Sequence, residues 1–193
     1  MAEPVIRTLS LTGFGYSLAG GGVIGLLVVH ADQLLGIPAT SDRIGLLYAA
    51  AAAGSLVATL MLPLLGRVVG QGPVSILGYG LFTVALLALA SVHSFFAALP
   101  LWAAWQFASS LAITNGITLR QQLTPDDLQG RVNTTGRMIA WGGTPFGALI
   151  GGVVAETAGV RAAYLTLAVP VVIGLAVLLA SPLPRLRTAI QPT

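Results

Sequence analysis

The chain has 193 residues, of which 55% are hydrophobic and only 8% are charged, and its mean hydropathy is +0.89. Soluble domains carry roughly 25% charged residues, and a surface so poor in charge would be mostly apolar. The composition therefore excludes a soluble globular protein and predicts an integral membrane protein embedded in the lipid bilayer.

The net charge of +3 comes from nine basic residues, all arginines, and six acidic ones. It is too small, and the arginines are too dispersed, for a surface that binds nucleic acid. Cysteine is absent, which excludes cysteine-based metal sites and thiolate catalysis. No nucleophile–base pair or His-x-x-x-His pattern occurs, so we expect no enzyme activity, no metal and no cofactor.

Six stretches come close to the roughly 20 apolar residues that a helix needs to cross a bilayer. Spans one to six run over about residues 11–30, 44–65, 74–92, 97–118, 134–155 and 161–181. Backbone polar groups must be satisfied within each segment, which predicts helices. We expect an all-α polytopic protein whose residues 1–193 form one six-helix transmembrane domain. The N-terminus also resembles a secretory signal, but its long, glycine-rich apolar stretch favours a retained first helix.

Small residues recur at four-residue spacing in three spans. They are Gly13, Ser17, Gly21 and Gly25 in span one, Ala50, Gly54 and Ala58 in span two, and Gly143, Gly147 and Gly151 in span five. Such stripes let two helix backbones approach closely. The spacing favours tight packing, with surfaces that slide past each other as the alternative.

Span four is the polar one, and spans three and six are almost wholly apolar, as is typical of lipid-facing helices. The polar residues of span four are Gln106, Ser110, Thr114 and Thr118 at four-residue spacing, with Ser109 and Asn115 beside them. Polar groups in hydrocarbon need partners, so we expect them to face the bundle interior or a wet cavity. Trp102 and Trp105 are interpreted either as interfacial anchors or as groups that stack on a ligand.

The arginines predict the orientation of the chain. With six spans, one side carries both termini and seven arginines: Arg7, Arg67, Arg120, Arg131, Arg137, Arg185 and Arg187. The other side carries only Arg43 and Arg161. The positive-inside rule therefore places both termini in the cytoplasm.

A charged loop, TPDDLQGR, joins span four to span five. Thr124 is expected to cap the turn that begins at Pro125, and Arg131 to pair with Asp127 four residues earlier. We predict a cytoplasmic clasp between the two spans, made of Arg120, Asp126, Asp127, Arg131 and Arg137. The alternative is a solvated, positively charged loop.

The stretch TPDDLQGRVNTTGRMIAWGGTPFGALIGG resembles the loop and helix between the tenth and eleventh spans of major facilitator superfamily transporters. It is most similar to the drug and siderophore exporter branch, of macrolide-efflux and enterobactin-exporter type. The shared positions are Gln122, Thr124, Pro125, Asp126, Gly130, Arg131, Val132, Arg137, Pro145, Gly147, Ala148, Gly151 and Gly152. The loop after span two departs from the family's Gly-x-x-x-Asp-Arg-x-Gly-Arg-Arg signature, since only Arg67 and Gly70 match it.

The resemblance implies one half of the major facilitator fold, spans seven to twelve, built from two inverted three-helix repeats. In that family the substrate lies between two halves. It implies that spans one, two, four and five face the cavity or the missing half, and that spans three and six face lipid. The expected cavity residues are Tyr16, Ser17, Gln106, Ser110, Thr114 and Asn115.

The expected function is export of an amphiphilic small organic molecule by alternating access, across the inner membrane of a bacterium. The chain would need a second six-helix half, either a separate chain or another copy of itself. The alternative is a non-transporting membrane protein, such as a truncated remnant of a transporter or a scaffold subunit.

Overall fold

In the computed structural model, residues 2–125 and 128–185 are described, except for the side chains of residues 2–6, 131–133 and 140. Every element of this part of the chain is helical. The elements are α1 (Ala2–Gly25), α2 (Leu27–Gln33), α3 (Arg43–Val68), α4 (Gln71–Leu89), α5 (Phe95–Leu123), α6 (Gln129–Ala158) and α7 (Val160–Ala180), followed by a 3-10 turn at Leu183–Arg185. The predicted all-α class is confirmed.

Five helices, α3 to α7, are long and apolar enough to cross a membrane. The segments Arg7–Gly25 and Leu27–Gln33 meet at a 50° bend and make a sixth span if they are counted together. The bend follows Gly25, at the end of a glycine-rich stretch, and glycines are a recognised cause of sharp kinks. The first predicted span is therefore a broken helix rather than a straight one.

The boundaries of the helices differ from the span boundaries predicted from hydropathy. Helix α5 has 29 residues and α6 has 30, and at 1.5 Å per residue such helices are about 43–45 Å long against a hydrocarbon core of about 30 Å. Hydropathy detects only the part of a helix in hydrocarbon, whereas the backbone stays helical into the polar region. Helix α4 begins three residues before predicted span three because Gly70, with φ of 95°, ends the preceding turn.

The helices form two layers. Helices α3, α5, α1 and α6 lie side by side in that order, and α4 and α7 pack behind them. Among helices α3 to α7, α4 has the largest buried share, 56%, whereas α3 and α6 have only 28% and 24%. The apolar residues of α4 lie on both of its sides. One side packs on α5 and α7, and the other is exposed and carries Leu77, Leu81, Val84 and Leu87.

The small-residue stripes lie where helices approach most closely. Gly143 and Gly147 of α6 face the backbone of α1 at Phe14 and Leu18, and a Cβ atom at Gly147 would overlap the carbonyl oxygen of Leu18. Gly54 of α3 faces the backbone of Ala103 on α5 in the same way. This is the geometry of tight helix packing.

Candidate functional site

A cavity of about 310 Å³ lies between α1, α5 and α6, with α4 behind it. Ligand pockets for small organic molecules start at about this size, and they are mostly apolar with a few polar groups. The cavity fits this description, because glycines and apolar or aromatic side chains make up most of its wall. It is the candidate site of this protein.

Three of the six residues expected in a cavity line this one: Tyr16, Ser17 and Gln106. Tyr16 is 3% exposed, and its ring lies 4.8 Å from that of Tyr79 and 4.6 Å from that of Phe82, measured between centroids. Gln106 lies one residue after Trp105, which also borders the cavity. The site therefore combines aromatic surface with a few hydrogen-bonding groups.

The other three expected residues are not among those that line the cavity. Ser110 lies against α3, where its Oγ is 2.8 Å from that of Ser55. The Asn115 side-chain amide donates hydrogen bonds to the carbonyl oxygen of Gln71 at 2.6 Å and to Ser75 Oγ at 2.8 Å. Thr114 is exposed on the surface of α5. Two of the three thus satisfy their polar groups against neighbouring helices.

Helix geometry explains this outcome. A residue advances about 100° around an α-helix, so each four-residue step drifts by about 40° and three steps drift by about 120°. The residues from Gln106 to Thr118 therefore wind around α5 instead of sharing one face. The cavity side of α5 follows mixed three- and four-residue steps, through Ser109, Ile113, Gly116 and Arg120.

Two tryptophans of α5 lie in the core instead of at the surface. Trp102 is 0% exposed and Trp105 is 2% exposed, so the interpretation of these residues as interfacial anchors is wrong. Their rings are 5.4 Å apart, and Trp105 lies 5.8 Å from Phe82. Trp105 thus connects the cavity wall to the aromatic core of the bundle.

Helix α4 contributes Ser75 and Tyr79 to the cavity, although the family resemblance implied that span three faces lipid. Gly78 makes this possible, because a Cβ atom there would lie only 3.0 Å from the Cβ of Ala112 on α5. The close approach lets neighbouring side chains of α4 reach the space beside α5. The sequence signal was present in VSILGYG, where a glycine adjoins a tyrosine in an otherwise apolar span.

The predicted clasp is only partly within the described residues. Asp126 and Asp127, and the side chain of Arg131, lie outside them. Arg120 and Arg137 are described, and both line the cavity. The Thr124 hydroxyl donates to the Arg120 carbonyl oxygen at 2.6 Å, and Thr124 is the C-cap residue of α5, whereas the backbone N–H groups that it was expected to cap lie outside the described residues.

The fold and the site define a class of protein: a polytopic helical membrane protein with a cavity of small-molecule size among its spans. This is the organisation of a membrane transporter. The chain belongs to the Major Facilitator Superfamily, whose family model matches residues 9–192.

Solved structures give the same fold. The chain is similar to tetrameric PepTSo2, with 20% identity and a TM-score of 0.77 over 89% of this chain and 39% of that one. A structure described as showing substrate recognition in proton-dependent oligopeptide transporters matches with 20% identity and a TM-score of 0.78, over 91% and 41% of the two chains.

A bacterial homologue of the human drug peptide transporters PepT1 and PepT2 matches with 19% identity and a TM-score of 0.82, over 100% of this chain and 46% of that one. Comparison of the sequence with curated proteins gave no match. The chain spans less than half the length of the solved transporters it resembles. At this level of identity the likeness concerns the fold.

Proposed function

We propose that this chain is the C-terminal half of an exporter of the drug and siderophore branch, and that it moves an amphiphilic small organic molecule by alternating access. The observation that carries the proposal is the cavity between α1, α5 and α6, in which aromatic and apolar surface surrounds a few polar groups. A sparse polar set of this kind suits an amphiphile better than a sugar or an inorganic ion.

The second half is proposed to dock on α3 and α6, the two outer helices of the layer formed by α3, α5, α1 and α6. These helices have the smallest buried shares among α3 to α7, 28% and 24%. Large apolar side chains project from both, among them Leu60 at 71% exposed and Leu149 at 64%. With both termini in the cytoplasm, as the arginines predict, a second half can pack beside this one in the parallel arrangement of the family. As that half we propose a separate chain or another copy of this one.

Disulfide crosslinking tests the docking surface, because the chain contains no cysteine of its own. Leu149→Cys on α6 is expected to crosslink to a second copy, or to a cysteine introduced in a co-expressed first half. Ile173→Cys is the matched control, since Ile173 is a similarly exposed apolar residue, 58%, on the rear helix α7. Equal crosslinking of the two variants would argue against docking through α6.

Transport is tested by efflux of fluorescent amphiphiles from bacterial cells that express the chain together with its second half. Gln106→Leu, in the cavity, is expected to reduce efflux about 2- to 10-fold, the equivalent of one lost hydrogen bond. Thr114→Val, on the same helix but outside the cavity, should leave efflux unchanged. If only Thr114→Val impaired efflux, the substrate would follow the four-residue stripe instead of this cavity.

The close packing of the helices and the polar groups of the cavity are relevant to the alternative, a non-transporting remnant. Loss of selection for transport would be expected to erode the glycines that hold α1 against α6 and the polar groups of the cavity. Both features are present in this chain, and we take them as support for transport. If cells exported no amphiphile even with a second half present, the result would favour the non-transporting alternative.

A further inference from the structure

Arg120 is a buried cation on the wall of the cavity. It lines the cavity on α5 and is only 8% exposed. Its Nε donates to the Gly116 carbonyl oxygen of its own helix at 3.2 Å, whereas Nη1 has no hydrogen-bond partner among the residues that the structure describes. An arginine stays charged in a protein, and a buried charge without a partner is unfavourable. One donor of this buried cation is thus left without an acceptor among the described residues.

The rest of the cavity wall adds positive charge and no negative charge. Arg137 of α6 is a second cation there, and no aspartate or glutamate is among the described residues that line the cavity. Tyr16, Trp105 and Trp141 supply aromatic surface elsewhere on the wall of the same cavity. Planar guanidinium groups bind carboxylates and phosphates through paired, charge-assisted hydrogen bonds.

Gly136 of α6 makes room for the Arg120 head group. A Cβ atom at Gly136 would lie 2.6 Å from Arg120 Nη1. The guanidinium group therefore spans from α5 to the backbone of α6, and a methyl group at residue 136 would displace it. A substitution at Gly136 therefore disturbs the site without removing the charge of Arg120.

Resting on the proposed function, we infer that the transported amphiphile carries an anionic head group, a carboxylate, phosphate or sulfonate. Arg120 binds this group, Arg137 adds to its attraction, and the aromatic side chains hold the apolar body of the molecule. Neutral and cationic amphiphiles of the same shape bind more weakly, because they leave the buried Arg120 without its counter-charge.

The test measures binding to the full chain in nanodiscs of neutral phosphatidylcholine, by calorimetry and tryptophan fluorescence. Three probes share one aromatic body: 2-naphthylacetate, 2-naphthaleneethanol and 2-naphthylethylammonium. We expect the acetate to bind about tenfold more tightly than the alcohol, as for a charge-assisted hydrogen bond. Arg120→Gln and Gly136→Ala should each abolish this preference, with Arg137→Gln as a third variant if either fails to fold. Arg67→Gln, at an exposed arginine outside the cavity, should retain it.

Equal affinities for the three probes, or a preference that survives Arg120→Gln, would overturn the inference. Two further arms identify competing occupants of Arg120. If phosphatidylglycerol in the nanodisc abolishes the Arg120-dependent binding, a lipid head group occupies the site and the assignment to a transported molecule fails. If Asp126→Asn with Asp127→Asn raises the acetate affinity about tenfold, those carboxylates neutralise Arg120, and the assignment fails as well.

The inference on anion binding and the proposed export function can be contradicted independently. Loss of the anion preference leaves export of a neutral amphiphile intact, whereas a chain that binds the acetate and exports nothing contradicts the proposed function alone.

Discussion

Replacing Gly147 with alanine tests the packing that places α1 beside the cavity. Gly147 is buried where α6 meets α1, and an added Cβ atom would overlap the carbonyl oxygen of Leu18. Backbone atoms cannot turn aside as a flexible side chain can, so the two helices must move apart. Overpacking of this kind costs about 1–3 kcal/mol, and each kcal/mol lowers the unfolding midpoint of a chain of this length by about 2–4 °C.

Gly152→Ala is the matched control, on the same helix. A Cβ atom at Gly152 meets no other atom within 4 Å, and alanine favours a helix over glycine by about 1 kcal/mol. Gly152→Ala should therefore leave the midpoint unchanged or raise it. The measurement is the monodisperse fraction on size-exclusion chromatography after heating in a mild detergent. Equal midpoints for the two variants would refute the close approach of α1 and α6.

Three more predictions concern the bundle. Asn115→Leu should lower the free energy of unfolding by about 0.6–2 kcal/mol, because it removes the hydrogen bonds to α4, whereas the control Thr114→Val should not. An SDS-unfolding titration measures both variants, and equal effects would contradict the assigned bonds. A double-mutant cycle of Ser55→Ala and Ser110→Ala should give a coupling of about 0.6 kcal/mol between α3 and α5, and strict additivity would disprove their hydrogen bond. Reporter fusions should place residues 1 and 193 both in the cytoplasm, and reporters on opposite faces would overturn the six-span topology.

Much of the fold could be predicted from the sequence, because the bilayer imposes strong and simple conditions. Backbone groups in hydrocarbon must be satisfied locally, so each long apolar stretch is a helix, and all six predicted spans lie largely within helices. The close contacts of Gly54 and Gly147 were also visible as small-residue stripes, since absence of a side chain is itself the signal for close approach.

The cavity could be predicted only in part. Tyr16, Ser17 and Gln106 were expected in a cavity from the family resemblance, and Gln106 also from its polarity within an apolar span. Arg120 and Arg137 were noticed as charges but assigned to a clasp. Ser110 and Asn115 carry the same polar signal as Gln106, yet they bond to α3 and α4. A polar side chain in a membrane helix needs a hydrogen-bond partner, and the sequence of the chain does not say whether this partner is a ligand or a neighbouring helix.

The sequence by itself determined that this protein lies in a membrane, that it is helical, and which residues permit close helix packing, because each of these follows from composition or from periodicity along one segment. The tertiary structure decided which face of α5 lines the cavity, that Tyr79 reaches it from the rear layer, and that Arg120 is buried against Gly136. These outcomes depend on the rotation of each helix about its axis and on the distance between helices, quantities fixed only when several helices pack together.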